Sequence, residues 1–217
     1  MITIIDYGIG NVGSIVSMFQ SIDVSAIVTS SPEVILKADK LILPGVGSFD
    51  NGMRNLRRLG LIDALEQKVL KERTNILGIC LGAQLMTQFS EEGKESGLGW
   101  IKAHTVRFFS RKGMAGYRVP HMGWSDVVPK KESQLFHRVP KEARFYFAHS
   151  YHFVCENSEY VLAETKYGYT FTSAFEVGNF FGVQFHPEKS HRYGMTLLRS
   201  FAEMVERRSI NECSSAS

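Results

Sequence analysis

Cysteine is scarce in this sequence. Three residues, Cys80, Cys155 and Cys213, are scattered over 217 positions. They are too few and too far apart for a disulfide framework, and no pair has the spacing of a zinc site. Long apolar runs are also missing: no stretch approaches the roughly 18 residues of a membrane-spanning helix, and no basic segment followed by an apolar one opens the chain. Charge of one sign is nearly balanced, with 25 Lys and Arg against 22 Asp and Glu and a net +3. Nothing here demands a polyanionic partner. There is no internal repeat and no linker that would divide the chain. Together these features point to a cytoplasmic protein in a reducing compartment, with neither membrane nor nucleic acid as partner.

What is present suits one α/β domain. A chain of this length buries roughly 70% of its unfolded surface, and 44% hydrophobic with 22% charged residues is ordinary for a globular core. Short apolar runs alternate with helical patterns at the start. ITIID, VSAIVT, KLILPG and NILGI read as strands. Val12, Ile15, Val16 and Phe19 make one helix face, residues 52–72 read as one long amphipathic helix, and Leu81 to Phe89 as another. Such alternation implies a mostly parallel sheet with helices on both faces. From Gly97 to Glu188 the pattern turns to strands (KAHTVRFF, RFYFAHSYHFV, YVLAET, FTSAFEV, NFFGVQF), which predict antiparallel additions. A helix over Gly194 to Val205 closes the domain at 1–205, and residues 206–217 read as a flexible tail.

The opening stretch GIGNVG has the glycine spacing of a dinucleotide-binding turn at Gly8, Gly10 and Gly13. That reading lacks its partner. An acidic residue should end the second strand to take the ribose hydroxyls, but the strand ends in Thr29, Ser30 and Ser31, and Glu33 lies beyond Pro32. The glycines are better explained as a tight strand-to-helix turn with close helix packing.

The chemistry is concentrated elsewhere. In NILGICLGAQLM a short strand runs into Gly78-Ile79-Cys80-Leu81-Gly82, the thiol form of the nucleophile elbow. Side chains at Gly78 and Gly82 would collide with the neighbouring strand and helix. The thiol would stand at a helix N-terminus, where the dipole favours thiolate, and the Leu81 N–H would point at a developing oxyanion. A thiol nucleophile wants a histidine base and a group to orient it. GVQFHPEKS offers both: His186 at a strand end, kept extended by Pro187, with Glu188 two residues on. In LPGVGSF, the Gly45–Val46 segment can turn an N–H toward the same strand ends and serve as a second oxyanion donor. His149 and His152, three apart on one predicted strand, should face opposite sides and make a poor metal pair. Arg54, Arg57 and Arg58 read as a solvated helix face.

GICLGAQLM, QFHPEKS and PGVGSF together resemble the triad-type (class I) glutamine amidotransferases. PHMGW at 120–124, DYGIGN at the start and FYFAHSYHF at 145–153 narrow the resemblance to the glutaminase subunits of imidazole glycerol phosphate synthases, from Met1 to about Val205. It implies a flavodoxin-like α/β fold and hydrolysis of L-glutamine to glutamate and ammonia by Cys80, His186 and Glu188. It further implies oxyanion donors at Leu81, Gly45 and Val46, and substrate contacts at Gly47, Gln84, Ser150 and Tyr151. Asn11, Pro120, His121, Met122, Gly123, Trp124 and Lys189 would form the face that docks on a cyclase β/α barrel in a heterodimer, through which ammonia passes into histidine biosynthesis. No metal or organic cofactor is implied. Ser125 departs from the asparagine usual after PHMGW. With GNVGSIVSMF and FHPEKSHRYGM, it resembles versions of the subunit that supply ammonia for a surface-polysaccharide sugar amidotransferase.

Overall fold

The computed structural model describes residues 1–108 and 116–205. The first elements are β1 (Ile2–Ile5), α1 (Val12–Gln20), β2 (Ala26–Thr29), α2 (Pro32–Ile35), β3 (Lys40–Leu43), α3 (Phe49–Arg58), α4 (Ile62–Glu66), β4 (Asn75–Ile79) and α5 (Leu81–Leu85). They are followed by β5 (Ala103–Arg107), β6 (His121–Asp126), β7 (Val128–Pro129), β8 (Arg144–His149), β9 (Tyr151–Cys155), β10 (Val161–Tyr167), β11 (Tyr169–Val177), β12 (Phe180–Val183) and α6 (His191–Glu203). Five strands run parallel in the order β2-β1-β3-β4-β12. The sheet then continues antiparallel through β11, β10 and β7, with β9 paired to β11 and β5 paired to β9. β6 and β8 form a separate two-stranded ribbon.

Two apolar layers cover the sheet, and the period-two alternation of the strands decides which residue serves which layer. Ile42, Leu77, Ile79 and Val183 pack with Ile15, Phe19, Leu197 and Phe201 of α1 and α6. Their neighbours Leu41, Leu43 and Ile76 pack on the other face with Phe49, Met53, Leu56 and Leu65 of α3 and α4. The expected α/β sheet with antiparallel additions is therefore present. No helix of the described residues is long and apolar enough to cross a membrane.

Several expected boundaries need correction. The long helix over 52–72 is three pieces: α3, α4 and a π-helical turn at Gln67–Lys71. Gly60, at φ +63°, ends α3; the Leu61 N–H bonds Leu56 O and the Gly60 N–H bonds Arg57 O, the pattern of a Schellman cap. The helix expected over Leu81 to Phe89 stops at Leu85, because later backbone takes its carbonyls. Leu98 N–H bonds Leu85 O, Ile101 N–H bonds Met86 O, and the Thr87 hydroxyl bonds Gln84 O at 2.7 Å. RFYFAHSYHFV is two strands in two sheets, broken at Ser150. The closing helix starts three residues early, at His191. Phe109, the tail at 206–217 and Cys213 lie outside the described residues.

Candidate active site

DYGIGN, PGVGSF, CLGAQLM and HPEKS emerge at the carboxyl ends of the parallel strands β1, β3, β4 and β12, where open α/β sheets build their sites, whereas PHMGW and FYFAHSYHF fall on the antiparallel strands. Cys80 follows β4. It holds φ +52° and ψ −111°, a conformation that costs a residue with a side chain roughly 1–3 kcal/mol and persists only where its surroundings impose it. They do so by contact. A Cβ at Gly82 would lie 1.8 Å from Leu43 O, and one at Gly78 would lie 2.5 Å from the Ala83 Cα. The glycines therefore let α5 press against β3 and β4, and this close approach fixes the elbow. α5 has only five residues, so its help to a thiolate is confined to the first-turn N–H groups, among them that of Leu81, which has no intrahelical acceptor.

His186 follows β12 with extended backbone (φ −102°, ψ 96°), and its N–H bonds Tyr146 O at 2.8 Å. Its Nδ1 lies 2.8 Å from Glu188 Oε1, and the two side chains are 2% and 1% exposed. With Nδ1 donating to a carboxylate, Nε2 is the nitrogen available to the thiol. Burial opposes a charge on His186, but the Cys80 sulfur, by charge and hydrogen bond, together with Glu188 outweighs it and carries the pKa up to about 10. His186 thus holds a proton at neutral pH and can give it to a leaving group.

A cleft of about 290 Å³ joins these groups, small among ligand sites. Its walls include Cys80, Leu81, Gln84, His186 and the backbone at Val46 and Gly47. Ser150 and Tyr151, at the break between β8 and β9, form another wall, and Pro120 and Lys189 stand at it too. Gly45 is not in the wall; it is wedged behind, where a Cβ would meet the Gly82 nitrogen at 2.6 Å and the Tyr7 hydroxyl at 2.8 Å. Tyr7 donates to Pro44 O at 2.5 Å, so the opening DYGIGN turn clamps the PGVG loop. Gly8 and Gly10 take positive φ in that turn, whereas Gly13 neither does so nor has any atom within 4 Å of a built Cβ. The glycine spacing thus serves a turn, and only its first two members do so.

Of the expected docking residues, Met122 is 63% and Trp124 37% exposed, but His121 is 1% exposed and turned inward. Gly123 lies between them at φ +130°, and Asn11 sits half-buried at the start of α1. His149 and His152 do not face apart. The break at Ser150 brings both rings against Phe108, at 5.2 and 4.8 Å between centroids, although each keeps its own hydrogen-bond partner. Among the described residues no three His, Cys, Asp or Glu are grouped to hold a metal ion. Arg57 pairs with Glu95 and is therefore not simply solvated.

Two residues of the site escaped sequence reasoning. Glu92 is the one carboxylate in the cleft wall among the described residues; it accepts the Phe49 N–H at 2.8 Å, and burial, then Asp50, raises its pKa. No pattern in SEEGKESG marks it. Gln184 lies with its Nε2 3.6 Å from the Cys80 sulfur. Its signal was available: two residues before His186 on a strand, it shares that residue's side.

A strained cysteine elbow, a buried His–Glu pair and a doubly wound sheet define a thiol hydrolase of the amidotransferase type. The chain belongs to the class I glutamine amidotransferases, whose family model matches residues 3–204. It is 54% identical over 206 residues to "Imidazole glycerol phosphate synthase subunit HisH 2" of Methanococcus maripaludis, covering 94% of this chain and all of that one. It is 46% identical over 205 residues to the protein of the same name from Pseudomonas aeruginosa, with the same coverage. Among solved structures, one titled as a glutamine amidotransferase superposes with a TM-score of 0.72 at 19% identity, covering 93% of this chain and 97% of the other. A glutamine amidotransferase from Thermotoga maritima superposes at 0.65 with 18% identity, covering 94% and 98%. At such identity these structures speak for the fold.

Proposed function

We propose that this chain hydrolyses L-glutamine to glutamate and ammonia as the glutaminase subunit of an imidazole glycerol phosphate synthase. The observation that carries the reading is the convergence of Cys80 and His186 at one cleft with Leu81 and Val46 beside them and Glu188 buried behind His186. The Cys80 sulfur attacks the side-chain amide carbon. The charge that develops on the amide oxygen is met by the Leu81 N–H and by an N–H of the Gly45–Val46 segment, groups that cost no reorganisation when the reaction occurs. His186, already protonated, gives its proton to the departing ammonia. It then takes one from the water that opens the γ-glutamyl thioester. Glu188 keeps the imidazole in one orientation. Gly47, Gln84, Ser150 and Tyr151 hold the substrate, and Glu92 offers its carboxylate to the α-ammonium group.

Ammonia is neutral and small, and a subunit that makes it for another centre gains from a sealed exit. Met122 and Trp124 follow Pro120 on the chain and are exposed, Lys189 stands at the same cleft as Pro120 and Asn11 precedes α1, and together they suit the docking of a cyclase β/α barrel in a heterodimer. The test is glutamate release from glutamine by the chain with that barrel, beside the same assay on Cys80→Ser. Release by the wild type and none by the variant is expected, with activity on added ammonium salts retained. Equal release by both removes Cys80 from the reaction.

A second acceptor is favoured by Ser125 and by the numeral 2 in the names of both relatives, a numbering that suits a second copy of such a subunit. Rescue of a histidine-requiring strain that lacks its own glutaminase subunit separates the two readings.

A further inference from the structure

We propose that Gln184 is a further catalytic residue of this site: its side-chain N–H holds the Cys80 sulfur, and the Tyr151 carbonyl, acting through Gln84 and held from its other side by a hydrogen-bond chain that begins at Ser125, decides which end of the amide faces that sulfur. The proposal rests on the reading of Cys80 as the nucleophile and deepens it.

The chain can be followed atom by atom. Tyr151 O is a carbonyl and only accepts, so His149 Nδ1, at 2.7 Å from it, carries a hydrogen. His149 is buried, and desolvation, the largest influence on it, holds its pKa well below the usual value. It is neutral, so its Nε2 accepts. His121 Nδ1 lies 3.0 Å from that Nε2 and must donate. Desolvation lowers the His121 pKa to about 4, so its Nε2 accepts as well, and the Ser125 hydroxyl at 2.9 Å donates to it. No link can reverse without setting two donors or two lone pairs against each other.

On its inner side the Tyr151 carbonyl also receives Gln84 Nε2 at 3.2 Å, and the same nitrogen donates to Gln184 Oε1 at 3.0 Å. Both hydrogens of the Gln84 amide are thereby used. Gln184 Oε1 is an acceptor in that bond, so its Nε2 is the end that meets Cys80 Sγ at 3.6 Å. A flipped Gln184 would oppose two NH2 groups and turn an oxygen lone pair on the sulfur. Gln84 and Gln184 are both buried, at 4% and 0% exposure, so no solvent would compensate for the flip. Gln184 acts on a reacting atom. His149 and His121 act through other residues and are positioning residues.

The outer end of the chain lies on β6, whose Met122 and Trp124 are exposed. Ser125, which departs from the residue usual at this point, is the donor that closes it.

The first test is alkylation of Cys80 by iodoacetamide across pH, read by mass spectrometry on the full chain, in the wild type and in Gln184→Met. Methionine keeps length and volume but donates nothing. The titratable groups around the sulfur are His186 after β12, with Glu188 behind it, Tyr7 after β1, His149 at the end of β8, and Glu92, Tyr151 and Lys189 in the cleft wall; all are unchanged in the variant. A hydrogen bond to a charged acceptor is strong enough that its loss should move the alkylation profile upward by about one unit. A profile that coincides with the wild type overturns the proposal. If the variant does not fold, nitrogen-15 NMR of the wild-type glutamine side chains decides instead: the Gln184 amide signal should move through the pH range of the Cys80 alkylation profile, and a signal that stays fixed through that range overturns the proposal. In the same protein both His121 and His149 should carry hydrogen on Nδ1 alone; hydrogen on Nε2 of either ring overturns the chain that holds the Tyr151 carbonyl. Neither measurement uses free glutamine, so absent glutamate release would undo the glutaminase reading separately.

Discussion

At the residue scale, the proposed reaction divides the work between a side chain that moves protons and one that holds it. In that reaction His186, protonated at neutral pH, gives and retrieves a proton in successive half-reactions. Glu188 contributes a single accepted hydrogen bond at 2.8 Å. His186→Asn is therefore expected to lower glutamate release by about 10³-fold, within the range for a lost general acid–base. Glu188→Gln should retain more activity, since an amide oxygen still accepts the Nδ1 hydrogen. Steady-state assays on both variants check this, and the reverse order would mean that the roles are exchanged. These residues were legible because their chemistry needs fixed spacing: a glycine two residues either side of the nucleophile, and His–Pro–Glu at a strand end. Glu92 and the inward turn of His121 were not legible. They depend on which loop returns to the cleft and which side of a short ribbon faces the core, and local sequence encodes neither.

At the element scale, the close approach of α5 to β3 is the feature on which the elbow depends. Gly82→Ala places a methyl group 1.8 Å from Leu43 O, and backbone cannot yield as a side-chain end can. The variant should lose about 3 kcal/mol of stability, as severe overpacking does, measured by urea unfolding. A loss below about 0.5 kcal/mol would show that the helix stands off from the strand. The alternation of strands and helices was readable because parallel strands buried on both faces are continuous apolar runs. The ends of helices were read less well. Gly60 after RRL was a usable stop signal, yet the apolar spacing continued past it into α4. α5 is ended by hydrogen bonds from residues 98 to 101, which are distant partners that no helical window contains.

At the scale of the whole molecule, buried neutral histidines give stability a pH signature of its own. The unfolded chain protonates His121 near 6.5 and the folded chain only near 4. Between these values the unfolded state binds more protons, so the contribution is complete above about 6.5 and is lost as pH falls toward 4. His121 alone should account for about 3 kcal/mol over that window, with His149 adding in the same direction. Asp39, Asp50 and Glu72 have lowered pKa values, so their loss comes at still lower pH. Unfolding free energies at pH 7, 5.5 and 4.5 check this, and a flat profile would place the rings in water.

The same scale governs the PGVG loop. Tyr7 fixes the Pro44 carbonyl, so rotation is left to the next peptide, Gly45–Val46, whose valine is 41% exposed beside the cleft. The barrel proposed to dock on that rim would set the peptide, and one oxyanion donor is worth about 10²–10³ in rate. Val46→Pro, which removes the N–H, should assemble with the proposed partner normally yet show none of the increase in glutamate release expected of the wild type on adding it. Full stimulation of that variant would exclude the Val46 N–H as a donor.

The most direct measurement is the site of the covalent intermediate. The full chain with the proposed barrel partner is mixed with glutamine, quenched in acid within the first turnovers, digested and mapped by mass spectrometry. A γ-glutamyl thioester on Cys80, absent from Cys155 and Cys213 and absent throughout the Cys80→Ser variant, is the predicted result. A γ-glutamyl group on either other cysteine, or glutamate release undiminished in Cys80→Ser, would contradict it.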